Sequence, residues 1–293
     1  MRPAALLAAA LVLPGCELEN VSLGVRRAEI VVDAGCGPDP CSEACGPSSR
    51  LLGIATSHLS PHGTLVELDP TTGEATELHQ IGTDLRRAVG MTYAPDLLSV
   101  YAVAKSISAP ELIRIDPATG EVELVGTIEI ADRRGEPLAL IDALAYNPCD
   151  GYLYATGGFV LSFSDLLLRV HPTRAVAEIV GSMRDPDDVD LLEFVDCELL
   201  GGDAFTGAVV TTLYWIDLTT AEARRAMAVS FIVDGLAWDP VEGGLMATTS
   251  RDRTVLRLDL DAAGSKVVGQ SHTEADYDGK QISALTFVPR CPP

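Results

Sequence analysis

Aspartates recur at one position of a repeated phrase, an arrangement suited to binding a cation. The phrase is an apolar strand that ends in a turn, and its three aspartate-containing copies carry Asp142, Asp190 and Asp234. Two acidic runs, RDPDDVD and TEADYDG, add Asp187, Asp188, Asp276 and Asp278. Carboxylate oxygens are the ligands that Ca²⁺ prefers. Convergence of these side chains therefore predicts a site for a cation or a cationic ligand. The alternative is a structural role, in which each aspartate accepts hydrogen bonds from the backbone of a neighbouring loop.

Two histidines extend the set of candidate ligands. His58 and His62 lie four residues apart in the segment TSHLSPHG, where they could share a metal ion, although no third ligand is evident beside them. The sequence has no G-x-S-x-G, no H-E-x-x-H and no phosphate-binding loop, so no local motif supports nucleophilic catalysis. The net charge of −21 argues against nucleic acid, because phosphates would be repelled.

The elements that position these residues come from an internal repeat. The strand-and-turn phrase occurs as VGMTYAPD, IDALAYNPCDG, VDLLEFVDC, VDGLAWDPVEGG and ISALTFVPRC. It alternates with a hairpin phrase, of which LIRIDPATGEVELVG is a regular copy. The hairpin turns are marked by Asp69, Asp116, His171, Asp217 and Asp259. Four strand signals in a unit that recurs roughly every 40–50 residues are typical of a β-propeller.

The two ends of the repeat complement each other. The body opens at residue 51 with a second strand, LLGIATS, and closes with a lone first strand, ISALTFVP. If these two strands pair, they complete a blade and remove the open sheet edge. The prediction is an all-β, five-bladed β-propeller over residues 51–293, with four strands, a to d, in each blade. The two blades without an aspartate at the start of strand a carry Ser283 and Val89 there.

The turn between strands c and d has a specific chemistry. In Asp116-Pro117-Ala118-Thr119-Gly120 the aspartate caps the turn, proline presets φ, and glycine supplies the positive φ. Blades 3 and 4 depart from this pattern, since His171 replaces the aspartate and TTAEA lacks the glycine. We expect those two turns to be less regular. The two tryptophans, Trp215 and Trp238, are expected to lie in the core.

The phrases LIRIDPATGEVELVG and IDALAYNPCDGYLYATGG resemble the repeats of bacterial secreted β-propellers of the NHL/YVTN-like type. The resemblance extends over nearly all of residues 51–293. It implies the propeller fold, but it does not select a function, because propellers host binding, scaffolding and several chemistries.

The N-terminus indicates export. Arg2 precedes a short apolar stretch that ends in Leu13-Pro14-Gly15-Cys16, a pattern of a signal peptide rather than a membrane span. The ending resembles the lipobox of bacterial lipoproteins, which implies cleavage before Cys16 and lipidation of that residue as a membrane anchor. The alternative is an ordinary secreted protein. We assign residues 1–15 to the signal peptide and residues 16–50, rich in glycine, proline and cysteine, to a tether facing the periplasm or the cell surface.

Six cysteines remain after Cys16, and an even number in an exported chain predicts three disulfides. They are Cys36, Cys41, Cys45, Cys149, Cys197 and Cys291. Cys149 and Cys197 occupy the a–b turns of neighbouring blades, so we expect them to pair, the alternative being two free thiols. Cys291 is then expected to pair with one of the three tether cysteines. A zinc site in CGPDPCSEAC is disfavoured by its spacing and by the absence of a nearby histidine.

These features favour a binding function over catalysis. If Cys291 joins the tether, the tether lies on the face of the a–b turns, and the opposite face, with the d–a and b–c loops, points away from the membrane. Loops on a rigid scaffold commonly carry function. We expect a lipid-anchored module that binds a protein or small ligand on this distal face. The alternative is a metal-assisted hydrolase or lyase at the channel mouth, and a third hypothesis is a structural envelope component. Ca²⁺ is the only cofactor that the pattern suggests.

Overall fold

The fold is a ring of five small antiparallel sheets, which confirms the predicted five-bladed β-propeller. The structure is a computed structural model that describes residues 49–56, 62–83, 88–104, 109–132, 138–159, 165–186, 188–203, 210–249, 253–261, 264–270 and 281–290. Residues Ser48–Arg290 form one compact unit. The predicted signal peptide and nearly all of the predicted tether lie outside the described residues. Within these ranges, no helix has the length and apolar character needed to cross a membrane.

The strands follow the predicted order in every blade. Blade 1 contains β1 (Ser49–Thr56), β2 (His62–Leu68) and β3 (Ala75–Thr83). Blade 2 contains β4 (Ala88–Ala94), β5 (Ser99–Ala104), β6 (Glu111–Ile115) and β7 (Val122–Thr127). Blade 3 contains β8 (Glu129–Ile130), β9 (Leu138–Asn147), β10 (Tyr152–Phe159), β11 (Leu166–Val170) and β12 (Val176–Ser182). Blade 4 contains β13 (Leu191–Val195), β14 (Glu198–Asp203), β15 (Thr211–Ile216) and β16 (Ala223–Val229). Blade 5 contains β17 (Gly235–Asp239), β18 (Gly244–Thr248), β19 (Thr254–Asp259) and β20 (Gly264–Gln270). The last strand, β21 (Gln281–Pro289), returns to blade 1.

The C-terminal strand closes the ring as expected. Strand β21 pairs antiparallel with β1 from Ser49 opposite Pro289 to Thr56 opposite Gln281. It is therefore strand a of blade 1, whose sheet order is β21-β1-β2-β3. The neighbouring strands a also contact one another around the ring, and β21 lies between β4 and β17.

Blade 3 has one strand that the repeat does not predict. Strand β8 pairs in parallel with the outer strand β12, with Glu129 opposite Val176 and Ile130 opposite Ala177. The connection from blade 2 to blade 3 is long enough to reach the outer edge of the sheet before it returns to the channel. The added strand covers an edge that would otherwise expose unpaired backbone groups.

The core consists of five apolar clusters, one at each interface between neighbouring blades. Strands b are buried on both faces, because each blade packs between two others. All six residues of β5, for example, are buried. A strand of this kind reads as a continuous apolar run, and the apolar clusters between the blades hold the ring together.

The c–d turns are more uniform than the sequence indicated. In blade 2 the Asp116 carboxylate accepts the N–H of Ala118 at 2.7 Å, and Gly120 has a φ of 72°. The turns of blades 3 and 4 keep the same closing backbone hydrogen bonds, from Ala175 to His171 at 3.0 Å and from Ala221 to Asp217 at 2.9 Å. The expectation that the c–d turns of blades 3 and 4 are less regular is therefore wrong. Two alanines adopt the left-handed conformation that glycine takes elsewhere, with φ values of 52° and 59°.

Candidate functional site

The antiparallel blades give the ring two different faces. The a–b and c–d turns lie on one face, here called the turn face. The d–a and b–c connections lie on the other, here called the loop face. Strands a line the central channel, so their first residues lie at its loop-face end and their last residues at its turn-face end. Each end carries a distinct set of functional groups.

At the loop-face end, the predicted aspartates take equivalent places. Asp142 is the extra residue of a β-bulge in strand a of blade 3, and Asp190 and Asp234 directly precede β13 and β17. The backbone N–H groups of Asp190 and Asp234 donate to Gly202 and Thr248 at 3.0 and 2.8 Å. Both residues line a narrow cavity of about 20 Å³ that strands a of all five blades enclose.

The corresponding residue of blade 2 is Val89, as expected, since it precedes Tyr93 by four residues as Asp142 precedes Tyr146. The bulge of β4 falls one residue later, on Gly90, whereas in β21 it falls on Ser283. Gly90 has a φ of 58°, and a Cβ atom there would lie 2.4 Å from the backbone nitrogen of Leu144. Only glycine fits this close approach between two strands without strain.

A buried carboxyl group that the sequence analysis missed lies beside these aspartates. Asp165 precedes β11 and is only 9% exposed. Its carboxylate accepts the N–H of Val189 at 2.7 Å, and its carbonyl accepts the N–H of Met183 at 2.8 Å. Asp165 therefore fixes the connection from strand d of blade 3 to strand a of blade 4 against the connection between strands b and c of blade 3. No repeat marks this position, so a sequence pattern could not have found it.

The surroundings of Asp165 form a concentrated acidic group, here called the acidic group and made of Asp142, Asp165, Asp188 and Asp190. Burial, aided by the negative charges of the other three aspartates, raises the pKa of Asp165 to about 7 against the lowering effect of the Val189 hydrogen bond. The carboxylates are therefore close enough to repel one another electrostatically. A cation or basic side chain that binds here would relieve that repulsion.

The prediction of a metal ion at this mouth remains untested. Among the residues that the structure describes, no group of three or more His, Cys, Asp or Glu is arranged to hold a metal. However, Asp187, Asp276, Asp278 and His58 lie outside the described residues. His62 begins β2 on the loop face, with its backbone opposite Thr83. The cation site therefore stays a prediction.

Replacing Asp165 with asparagine is expected to stabilise the protein in a pH-dependent way. The raised pKa means that the folded state is most favourable when Asp165 is protonated, near pH 4, and loses stability as the pH rises towards about 7. The asparagine side chain would keep an acceptor for the Val189 N–H without a charge to bury. After allowance for solvent screening, we expect the free energy of unfolding to increase by about 2 kcal/mol at pH 8, and by less at pH 5.

Denaturant titrations of D165N and the unmodified protein at pH 5 and pH 8 would measure this gain. D188N is the matched control, because Asp188 is exposed and contributes a similar charge. A gain for D165N that does not grow with pH, or a loss at pH 8, would contradict the assignment.

On the turn face, the expected bond between Cys149 and Cys197 is present. The two residues lie in the a–b turns of blades 3 and 4, with their Cα atoms 5.9 Å apart, within the range that a disulfide spans. The Cys149 N–H donates to the Asn147 side chain at 2.9 Å. The other disulfide candidates, Cys36, Cys41, Cys45 and Cys291, lie outside the described residues, and so does the lipidation candidate Cys16. Those assignments stay predictions.

The turn-face end of the channel opens into a cavity of about 260 Å³. Every blade contributes one aromatic residue from the same position of strand a: Tyr93, Tyr146, Phe194, Trp238 and Phe287. The sequence carried this signal in the copies TYAP, AYNP, EFVD, AWDP and TFVP, but the ring closure is needed to see that they meet. We name this feature the aromatic cavity. Trp238 is half-buried there and, like Trp215, packs against the core cluster between blades 4 and 5, in agreement with the expected core position.

A hydrogen-bond relay connects the blades beneath these rings. In three blades, the side chain of the residue before the aromatic accepts a hydrogen bond from the backbone N–H of the aromatic residue in the next blade. Thr286 accepts from Tyr93 at 2.9 Å, and Thr92 accepts from Tyr146 at 2.9 Å. In blade 4 this residue is Glu193, whose carboxyl accepts the backbone N–H groups of Phe194 and Trp238. Burial raises the pKa of Glu193 well above its usual range.

Comparisons with known proteins support the fold alone. No protein-family profile matches the sequence, and no curated protein matches it. Among solved structures, a chain from the crystal structure of a nidogen/laminin complex is similar with a TM-score of 0.53 and 13% identity, covering 82% of this chain and 98% of that chain. TolB from Acinetobacter baumannii has a TM-score of 0.47 and 14% identity, covering 80% of this chain and 56% of that one. The PQQ-bound aldose sugar dehydrogenase from Streptomyces coelicolor also gives 0.47, with 16% identity, covering 83% of this chain and 90% of that chain. At 13% identity, the likeness to the chain of the nidogen/laminin complex supports a β-propeller fold and nothing narrower.

Proposed function

We propose that this chain is an exported, lipid-anchored binding module that recognises a basic partner with its loop face. The observation that carries the proposal is the acidic group, in which one carboxyl is buried and three more lie close enough to raise its pKa. Protein surfaces that bind one another are commonly complementary in charge. A partner that presents lysine or arginine side chains fits this surface better than an acidic or neutral one does.

The proposed topology orients this surface away from the membrane. Residues 1–15 act as the signal peptide, Cys16 carries the lipid, and residues 16–50 form the tether. Pairing of Cys291 with Cys36, Cys41 or Cys45 would bring the tether to the turn face. The Cys149–Cys197 bond supports this topology, because structural disulfides are typical of exported proteins. We also propose that the repeats are of the NHL/YVTN-like type.

The propeller scaffold is suited to protein recognition. The nidogen/laminin structure to which this chain is similar is a complex between proteins. A rigid ring can bind a partner without itself becoming more ordered, which limits the entropy lost on binding. The alternative of a metal-assisted hydrolase or lyase at the same mouth has no specific observation in its favour among the described residues.

Binding of a basic peptide would test the proposal. We expect a lysine- and arginine-rich peptide, used as the probe in calorimetry, to bind the full chain with an affinity that falls as salt is added. The double variant D188N/D190N should weaken binding at least about tenfold, which corresponds to about 1.4 kcal/mol.

The matched control changes two acidic residues on the opposite face. E121Q/D261N removes the same formal charge from two exposed c–d turns and should leave the affinity within about twofold. Equal weakening by both double variants would mean that only net charge matters, and the proposal of a recognition face would fail. The absence of any binding would also reject a basic partner.

A further inference from the structure

The aromatic cavity combines apolar walls with negative charge. Its lining includes five aromatic residues and two acidic residues, Glu193 and Asp196, and none of the described residues that line it is Lys, Arg or His. The electron-rich faces of aromatic rings attract cations, and they do so most strongly where water is excluded. Both parts of the lining therefore favour a positively charged occupant over a neutral or negative one.

Glu193 has an acceptor oxygen and a charge beyond what the hydrogen-bond relay between the blades requires. Threonine accepts the equivalent hydrogen bond in blades 1 and 2, so a hydroxyl is sufficient for that structural role. Blades 3 and 5 carry Ala145 and Ala237 at this position, and the ring closes there without a side-chain acceptor. A glutamate in blade 4 adds a second oxygen and a titratable charge at the cavity. Glu193 is half-buried, and burying a carboxylate is costly for stability unless a bound cation compensates the charge.

We propose that the aromatic cavity binds a small organic cation of the alkylammonium class, with the cationic group against Glu193 and its alkyl groups among the aromatic rings. The volume of about 260 Å³ suits a compact ligand of this kind, and it is near the lower end of small-molecule pockets. The site is distinct from the acidic group at the other end of the channel, and the proposal does not rest on the proposed function.

Binding is expected to depend on pH through Glu193. Burial favours the neutral carboxylic acid in the free protein, whereas a bound cation favours the carboxylate, so binding releases a proton and strengthens as the pH rises. The other titratable groups around the cavity are Asp196, Tyr93 and Tyr146 in its lining, with Asp96 and Asp239 behind them. Asp96 accepts the Tyr146 hydroxyl, and Asp239 accepts the Ser49 hydroxyl at 3.0 Å.

Choline and its uncharged carbon analogue dimethylbutanol are suitable probes, because they differ mainly in charge. Calorimetry on the full chain should detect choline, and dimethylbutanol should bind at least about tenfold more weakly. Choline affinity should also increase between pH 5 and pH 8. Equal affinity for the two probes, or no choline binding at millimolar concentration, would overturn the proposal.

Two variants separate the site from the structural relay. E193Q keeps acceptor geometry without the charge, and E193T copies the residue that serves blades 1 and 2. Both should lose at least about tenfold in choline affinity, while the exposed control E121Q should keep it. If E193T folds and still binds choline as the unmodified protein does, Glu193 has only a structural role and the proposal fails. If neither variant folds, the pH dependence of the unmodified protein decides, and an affinity that does not change with pH overturns the proposal.

Discussion

Removing residues 281–293 is expected to abolish cooperative folding of the whole ring. Strand β21 supplies the innermost strand of blade 1 and contacts the innermost strands of blades 2 and 5. Its large buried side chains are Ile282, Leu285, Phe287 and Val288. At about 1.5–3 kcal/mol each, they contribute roughly 6–12 kcal/mol, which is comparable to the whole stability of a typical domain, about 5–15 kcal/mol. The truncated chain should show no sigmoidal denaturation and should aggregate through the exposed edge of β1.

A circular permutant is the matched control for this truncation. Since Pro289 lies opposite Ser49, residues 281–290 can be joined to Ser49 through a short turn, as strands a and b are joined in the other blades. The permutant, without residues 1–48 and 291–293, should regain a cooperative transition. If the truncated chain unfolds cooperatively with a midpoint close to that of the intact protein, ring closure by β21 is not what stabilises the fold.

Removing the bond between Cys149 and Cys197 is expected to lower the free energy of unfolding by about 4 kcal/mol. The two residues are separated by 48 positions, and constraint of an unfolded loop of that length accounts for an effect of this size. Both residues are exposed, so substitution by serine removes little packing. The loss therefore reports the cross-link itself.

Denaturant unfolding of C149S/C197S beside the oxidised protein would measure this effect. The single variant C149S should show nearly the same loss, because one remaining cysteine cannot form the bond. Peptide mapping without reductant should recover the segments around residues 149 and 197 joined together. An unchanged stability, or a map in which these cysteines have other partners, would contradict the assignment.

The blades were predictable because the relevant signals are local and repeated. The Asp-Pro-x-Thr-Gly turn specifies a hairpin within a few residues, and strand a repeats an apolar run of nearly constant length. The ring closure was also accessible, since the first blade lacks a strand a and the last strand has no blade of its own. The regular turns at Ala175 and Ala221 were not predictable from composition. Their closing hydrogen bonds hold alanine in a conformation that it rarely adopts alone.

The functional groups were only partly predictable, because they depend on contacts between distant segments. Asp142, Asp190 and Asp234 were placed at the channel by their position in the repeat. Asp165 and Glu193 were missed, since each gains its character from burial by other segments. In the sequence VDLLEFVDC, Glu193 reads as an ordinary outward-facing residue of an alternating strand. Only the closed ring brings it beside Trp238 and the aromatic residues of the other blades.

The two ends of the channel suggest a division of roles within one scaffold. The acidic group on the loop face is proposed to bind a basic partner, whereas the aromatic cavity on the turn face, of about 260 Å³, is proposed to bind a compact cation. Both features use carboxylates whose pKa is raised. Each site should therefore respond to pH in the same direction, with tighter binding as the carboxylates ionise.

Hydrogen–deuterium exchange of the full chain, with and without the basic peptide, tests the central claim of a recognition face most directly. The account predicts that the peptide slows exchange in the d–a segment around residues 183–190 and at the start of β11, where Asp165 holds that segment. The c–d turns at residues 69–74 and 116–121 should exchange as before. Protection confined to the turn face, or spread evenly over both faces, would contradict the account.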